Sequence, residues 1–102
     1  MAKITGYQML IGGEWVDAAD GGTFDSVNPV DGKVWSRVPE ATEADVDRAV
    51  EAAHAAFTTG PWAGMTPTER GKCLRRLGDL LADHSEGLGR TESVDTGKML
   101  KE

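Results

Sequence analysis

A run of apolar residues at helical spacing between Thr42 and Phe57 limits most strongly what this chain can fold into. The run repeats with the 3.6-residue period that places side chains on one face of an α-helix. Its members are Val46, Ala49, Val50, Ala53 and Phe57. Thr42 can cap the start of this helix, and Asp45 lies where a short acid favours the N-terminal dipole. The pattern predicts a helix with one buried stripe.

Short strands and glycine-rich turns are predicted for residues 1–39. Gly12 and Gly13 separate two apolar runs, and paired glycines favour the positive φ angles of a tight hairpin turn. Pro29 and the Asp-Gly pair that follows it indicate a second reversal. The expected strands span residues 9–11, 14–16, 23–27 and 34–38. The sequence therefore predicts four short antiparallel strands before the first helix.

Residues 40–102 are predicted to be helical, with two further helices after the first. Thr66 and Glu69 have the spacing of a capping box, which marks a helix start. The apolar stripe that follows contains Cys73, Leu74, Leu77, Leu80, Leu81, His84 and Leu88. The last helix is expected over residues 85–96, with Gly97 as its C-cap.

Composition narrows the class of protein. A chain of 102 residues allows one small domain or a piece of a larger one, and 39% of its residues are hydrophobic, so its core would be thin. The net charge of −6 disfavours nucleic acid and anionic membranes as partners, and the basic run from Arg70 to Arg76 is best explained as a solvated helix face. The single Cys73 excludes an internal disulfide. We expect a cytoplasmic protein with no nucleic-acid or membrane partner.

No catalytic or cofactor-binding residue can be assigned. Cys73 and His84 are eleven residues apart on one predicted helix, about 16 Å along its axis, whereas a thiol and its base must approach to about 3 Å. Cys73 is better explained as a buried small hydrophobic residue. An independent thiol enzyme that uses Cys73 stays a further hypothesis, which slow modification by a thiol reagent would exclude. Gly87 and Gly89 lack the third glycine and the preceding strand of a dinucleotide loop.

Asp95 is expected in the last turn of its helix, where a carboxylate opposes the helix dipole. Either its side chain is solvated, or it binds a positive group. Carboxylate and backbone carbonyl oxygens are the ligands of hard cations, but the residue pattern gives Asp95 no partner.

Taken in order, these signals resemble the N-terminal segment of the aldehyde dehydrogenase superfamily, from about Leu10 to Glu102. The matching stretches include Ile11-Gly12-Gly13-Glu14-Trp15-Val16, Thr23-Phe24, Asn28-Pro29, Asp31-Gly32, Asp45-Val46-Asp47-Arg48-Ala49-Val50, Ala52-Ala53, Glu69-Arg70, and Glu92 with Asp95-Thr96-Gly97-Lys98. The resemblance implies an α/β fold in which residues 1–102 form part of a coenzyme-binding domain. Antiparallel β-hairpins would be followed by α-helices, and the domain would be incomplete without its parallel sheet.

The resemblance also implies a parent enzyme that oxidises an aldehyde to a carboxylic acid with NAD or NADP. In that family a cysteine thiolate attacks the aldehyde, hydride passes to the nicotinamide, and a glutamate activates the water that releases the acyl group. Those parts lie after this segment, and Cys73 does not match the nucleophile, so the 102 residues alone are expected to be inactive. The parent is expected to be a homo-oligomer. The alternative is a non-catalytic shortened module that packs on a full-length subunit or another partner.

Some members of the family hold a sodium or potassium ion inside each subunit. By resemblance, its ligands here would be the backbone carbonyls of Ser26 and Val27 and the carboxylate of Asp95, with a later residue completing the shell. This ion would be the positive partner of Asp95.

Overall fold

A computed structural model describes residues 3–100 of the chain. Its strands are β1 (Thr5–Gly6), β2 (Met9–Ile11), β3 (Glu14–Val16), β4 (Thr23–Val27) and β5 (Val34–Pro39). Its helices are α1 (Glu43–Thr58), a 3₁₀ turn (Pro61–Gly64), α2 (Pro67–Asp83) and α3 (Ser85–Thr96). The predicted order of strands followed by helices is confirmed. The predicted ranges also include residues 1–2 and 101–102, which lie outside the described residues.

The strands form two small sheets. β2 and β3 make the predicted antiparallel hairpin, and Gly12 and Gly13 at its turn have φ angles of 61° and 82°. In the other sheet the order is β1-β5-β4, with β4 antiparallel and β1 parallel to β5. The four predicted strands are confirmed as two antiparallel pairs, but the structure adds a fifth strand, β1, which was not predicted and runs parallel to β5. The missed strand, β1, has only two residues, too few to show any alternation of apolar and polar side chains.

The predicted helix ends are confirmed. Thr42 and Asp45 form a reciprocal capping box at the start of α1, and Thr66 and Glu69 form another at the start of α2. Gly97 ends α3 with a φ angle of 79°, in the left-handed region that glycine enters without strain. These ends depend on residues within one helical turn, which is why the sequence reveals them.

Very few side chains are buried. Within residues 3–100, those that lose nearly all contact with solvent are Ala18, Ser36 and Asp45. The apolar stripes of the helices are exposed, including Phe57 at 76% and Leu77 at 52%. Cys73 is also exposed, so its predicted burial is wrong. Helical periodicity shows which face is apolar, but burial also requires a neighbouring layer, and the described residues do not supply one.

The shape of the chain agrees with this exposure. The radius of gyration is 17.1 Å, whereas a compact domain of this length has about 13 Å. The accessible surface is 8123 Å², against roughly 5,600 Å² for a compact monomer of this size. The shortest dimension is 17 Å. Residues 3–100 thus form a flat slab rather than the two packed layers of a self-sufficient domain. No helix among them is long and apolar enough to cross a membrane.

Candidate functional site

A groove of about 490 Å³ lies between the three-stranded sheet and α3, and we call it the sheet–α3 groove. Its walls combine aromatic and aliphatic side chains of the sheet with polar side chains of the helix. They are Tyr7, Phe24, Ser26, Trp35, Ser36, Val38, Leu88, Thr91, Glu92, Asp95 and Thr96. The groove is one of the places where the strand half and the helical half of the chain meet.

The register of β4 and β5 determines which strand residues face this groove. Ser26 lies opposite Ser36, and Phe24 lies opposite Val38, so these cross-strand pairs share one face of the sheet. The register then shifts, so that β5 has one extra residue, Trp35. Such a β-bulge twists the strand and redirects the extra side chain. Here the indole of Trp35 reaches α3.

Asp95 joins α3 to the sheet. Its Oδ1 accepts a hydrogen bond of 2.5 Å from the Ser26 hydroxyl and one of 3.2 Å from the Trp35 indole N–H. Asp95 lies in the last turn of α3, where the helix dipole disfavours a carboxylate. Two donors from the sheet oppose that effect. The sequence left open whether Asp95 is solvated or binds a cation; in the structure it is exposed to solvent and also hydrogen-bonded to the sheet.

The end of α3 makes a second contact with the strand half. A Cβ atom added at Gly97 would lie 3.0 Å from Cγ of Pro29, tighter than nine in ten real Cβ contacts, so the proline ring would have to shift. Gly97 therefore satisfies two demands at once, a positive φ angle and close approach to the turn between β4 and β5. These contacts unite two stretches on which the family resemblance depends, Asn28-Pro29 and Asp95-Thr96-Gly97-Lys98.

The structure brings two of the three predicted cation ligands together. Ser26 and Asp95 are in direct hydrogen-bond contact, and Val27 is the next residue of β4, at the register shift. In the described part of the chain, no cluster of three or more His, Cys, Asp or Glu side chains could hold a metal. A cation at this place would therefore depend on backbone carbonyls as well as Asp95. The ion itself stays a prediction.

Ser36 is a feature of the groove that the sequence does not reveal. Its side chain is buried, with 1% of its surface exposed, and its hydroxyl has no hydrogen-bond partner among residues 3–100. An unpaired buried hydroxyl costs about 1–3 kcal/mol. Serine in a strand gives no signal of this kind, because burial on β5 depends on the neighbouring strands and on α3.

Asp45 is a second polar centre, and the sequence predicts only its role at the start of α1. Its carboxylate accepts hydrogen bonds from the backbone N–H of Thr42 at 2.8 Å and of Ala19 at 3.1 Å, and it pairs with Arg48. The N–H of Thr42, followed by that of Ala19, holds the pKa of Asp45 well below its usual range, although burial acts in the opposite direction. The spacing of Thr42 and Asp45 indicates the cap. Nothing in the sequence indicates the bond to Ala19, 26 residues earlier.

Arg70 is not simply part of a solvated face. Its guanidinium donates to the carbonyl of Trp62 at 3.0 Å and lies 5.6 Å from the centre of the Trp62 ring. This cation–π contact fastens the 3₁₀ turn to α2. The prediction of a solvated face is therefore wrong for Arg70.

Comparisons with known proteins extend this description. The profile of the aldehyde dehydrogenase family matches residues 15–102. The cytosolic 10-formyltetrahydrofolate dehydrogenase of Xenopus tropicalis is 45% identical over 91 residues, which are 89% of this chain and 10% of that protein.

Two solved structures superimpose on nearly the whole chain. The NAD-dependent aldehyde dehydrogenase of Sinorhizobium meliloti does so with a TM-score of 0.92 at 41% identity, over 96% of this chain and 20% of that one. The NAD⁺ complex of the Bacillus cereus aldehyde dehydrogenase gives 0.90 at 44% identity, over 93% and 19%. This chain thus spans between 10% and 20% of the length of these proteins. It belongs to the aldehyde dehydrogenase family.

Proposed function

We propose that the chain is the N-terminal part of an NAD(P)-dependent aldehyde dehydrogenase that oxidises an aldehyde to a carboxylic acid through a cysteine thioester. The observation that carries this proposal is the superposition on the Sinorhizobium meliloti enzyme, which takes in 96% of this chain but 20% of that one. A segment that matches so closely has the same structural task, which is to pack against the rest of the subunit. The catalytic cysteine, the glutamate and the oxyanion donors belong to the rest.

The described residues do not fit a nicotinamide coenzyme. Gly87 and Gly89 lie inside α3, whereas a phosphate-binding loop joins a strand to a helix N-terminus. In the parent, residues outside this segment would bind the coenzyme, which would supply the hydride acceptor. We therefore expect the purified 102-residue chain to produce no NAD(P)H from an aldehyde, and turnover above the background rate would contradict that.

A chimeric enzyme tests the proposal directly. This chain would replace the matching segment of the Bacillus cereus aldehyde dehydrogenase, and NAD⁺-dependent oxidation of a simple aldehyde would be measured. We expect the chimera to keep most of the activity of the parent. A soluble chimera without activity would count against the proposal. The Bacillus cereus enzyme itself and a variant that lacks the segment are the controls.

A sodium or potassium ion held by the Ser26 and Val27 carbonyls and the Asp95 carboxylate is part of the same proposal. The contact of Asp95 with Ser26 supports it, because it brings the carboxylate to the end of β4 that carries both carbonyls. In the chimera, added sodium or potassium chloride should raise the melting temperature more than choline chloride does. Asp95→Asn should abolish that difference, and an unchanged difference would remove Asp95 from the site.

The assembly and location of the parent are also proposals. The family resemblance supports a homo-oligomer, and the net charge of −6 and the single cysteine support a cytoplasmic location without nucleic-acid or membrane partners. Light scattering of the chimera and fractionation of the source cells would test these two points.

A non-catalytic module is the second candidate function. The observation in its favour is the large exposed apolar surface of α1 and α2, which could pack on a full-length subunit or another partner. A fragment that stays monomeric and binds no hydrophobic dye would instead be a self-contained domain. An independent thiol enzyme is less well supported. Cys73 is exposed, but His84, at the end of α2, lies eleven residues away and is too distant to act as its base.

A further inference from the structure

Trp35 is held by contacts on two sides of its indole. The register shift between β4 and β5 makes it the extra residue of β5. The ring of Tyr7 meets the indole edge to face, with the ring centres 6.0 Å apart and the planes at 72°. The backbone N–H of Tyr7 also donates to the carbonyl of Arg37 at 3.0 Å, so Tyr7 is itself fixed to β5. The sheet therefore holds the indole N–H of Trp35 in place beside α3.

The carboxylate of Asp95 is hydrogen-bonded through one of its two oxygens. The Ser26 hydroxyl and the Trp35 indole N–H both donate to Oδ1. Within the described part of the chain, Oδ2 accepts no hydrogen bond, and Lys98 just beyond α3 pairs with Glu92 rather than with Asp95. Because both oxygens of an ionised carboxylate are acceptors, Oδ2 keeps its capacity to bind a positive group.

We propose that Trp35 is a positioning residue for the sodium or potassium ion: together with the Ser26 hydroxyl it fixes Oδ1 of Asp95, so that Oδ2 alone binds the ion. This inference rests on the proposed function, to which it adds the oxygen that binds the ion and the side chains that orient that oxygen. Because these hydrogen bonds are made before the ion arrives, binding does not have to order the carboxylate. Loss of such a partner typically weakens metal affinity about 10- to 100-fold.

Sodium and potassium titrations of the chimera test the role of Trp35. The chloride salts are added at constant ionic strength, balanced with choline chloride, and the melting temperature is measured. Trp35→Phe keeps an aromatic ring beside Tyr7 but removes the N–H donor. We expect it to raise the salt concentration that gives half of the maximal increase in melting temperature by about tenfold. Trp15→Phe, at an exposed position of β3, is the matched control and should leave that concentration unchanged.

Ser26→Ala and the fluorescence emission of Trp35 provide two further measurements. Ser26→Ala removes the other donor to Oδ1 but keeps the backbone carbonyl, so it should also raise the half-saturating concentration. The emission of Trp35 is the difference between the spectra of the chimera and of its Trp35→Phe variant. An ion on Oδ2 draws charge from the carboxylate and weakens the indole hydrogen bond, so this emission should shift at the same salt concentration as the melting temperature. Asp95→Asn should abolish the shift, which a side chain that only supports the fold would not show.

The inference and the proposed function can fail separately. If Trp35→Phe leaves the half-saturating concentration unchanged while Asp95→Asn abolishes the response to sodium and potassium, the ion site stands and the role of Trp35 is overturned. Tighter ion binding in Trp35→Phe would also overturn it, because both oxygens would then bind the ion once Oδ1 is released. If the chimera responds to sodium and potassium no more than to choline, the ion site and this inference fail together. NAD⁺-dependent oxidation by the chimera decides independently whether the chain is part of an aldehyde dehydrogenase.

Discussion

The region around Asp45 and the region of α2 and α3 are stabilised in different ways. Around Asp45, one carboxylate holds backbone N–H groups from two parts of the chain, and Ala18 beside it is buried. Along α2, no residue is buried, although the helix has good caps and a clear apolar stripe. The first region satisfies its polar groups internally. The second consists of regular helices whose apolar side chains remain exposed and need a partner. A regular helix in this chain is therefore not evidence of a complete hydrophobic core.

The largest effect should come from covering α2. Leu77→Ala should change the unfolding free energy of the isolated chain by less than about 0.5 kcal/mol, because Leu77 is already half exposed. In the chimera, where the proposed remainder covers α2, the same change should cost about 2–5 kcal/mol. Urea unfolding followed by circular dichroism measures both. Asp79→Ala, a polar change on the same helix, should have little effect in either protein. If Leu77→Ala lowered the unfolding free energy equally in the isolated chain and in the chimera, α2 would not be covered in the chimera.

Removing the carboxylate of Asp45 should loosen the other region. In Asp45→Ala, the N–H of Ala19 loses its acceptor, so its protection against hydrogen exchange should fall by more than about tenfold. Asp47→Ala removes the same charge two residues later, from an exposed position, and should leave Ala19 protected. Retained protection in Asp45→Ala would mean that another group holds the loop before β4.

Acid should weaken the same region selectively. The pKa of Asp45 is lower in the folded chain than in the unfolded one, so its contribution to stability is complete above the unfolded value of about 3.9 and is lost as pH falls below it. The helical circular dichroism signal should therefore fall in acid, and the fall should be shallower in Asp45→Asn. Parallel acid titrations of the two proteins would contradict this assignment.

Two glycines of the α3 region should respond with opposite signs. Gly97→Ala forces a Cβ against Pro29 at a positive φ angle and should destabilise the chain by about 1–2 kcal/mol. Gly87→Ala lies within α3, with open space around the new Cβ, and should stabilise it by up to about 1 kcal/mol. Thermal unfolding compares the pair, and a stabilising Gly97→Ala would contradict both the positive φ angle and the close contact with Pro29.

The smallest effect should come from the link between α2 and the 3₁₀ turn. Arg70→Lys keeps the charge but loses the planar group that contacts the Trp62 ring and carbonyl, so we expect a cost of about 0.5–1 kcal/mol. Arg75→Lys, on the exposed face of the same helix, is the control. A Trp62 fluorescence spectrum unchanged by Arg70→Lys would argue that the contact is weak in solution.

Local signals in the sequence were sufficient for much of the fold. The hairpin at Gly12 and Gly13, the capping boxes and the end of α3 at Gly97 each depend on residues within four positions of one another. The pairing of β1 with β5, by contrast, joins residues about thirty positions apart and has no sequence pattern. The burial of Cys73 was predicted from an apolar stripe, and it failed because a stripe specifies a face and not what covers it.

Some features of the candidate site could also be predicted from the sequence, and others could not. The sequence identified Asp95 as a carboxylate at an unfavourable helix position, and the family resemblance associated it with Ser26. Neither could show that the two side chains are in contact, or that Trp35 shares the same oxygen through a strand irregularity. The buried, unpaired hydroxyl of Ser36 could not be predicted from the sequence, because its burial depends on how three strands and a helix pack around it.

The close approach of Gly97 to Pro29 has a practical consequence for anyone who shortens or tags this polypeptide. A stop codon placed just ahead of the glycine would remove this contact, and Asp95 would remain as the link between α3 and the strands. A shortened version that keeps both of these connections must therefore extend at least through Gly97.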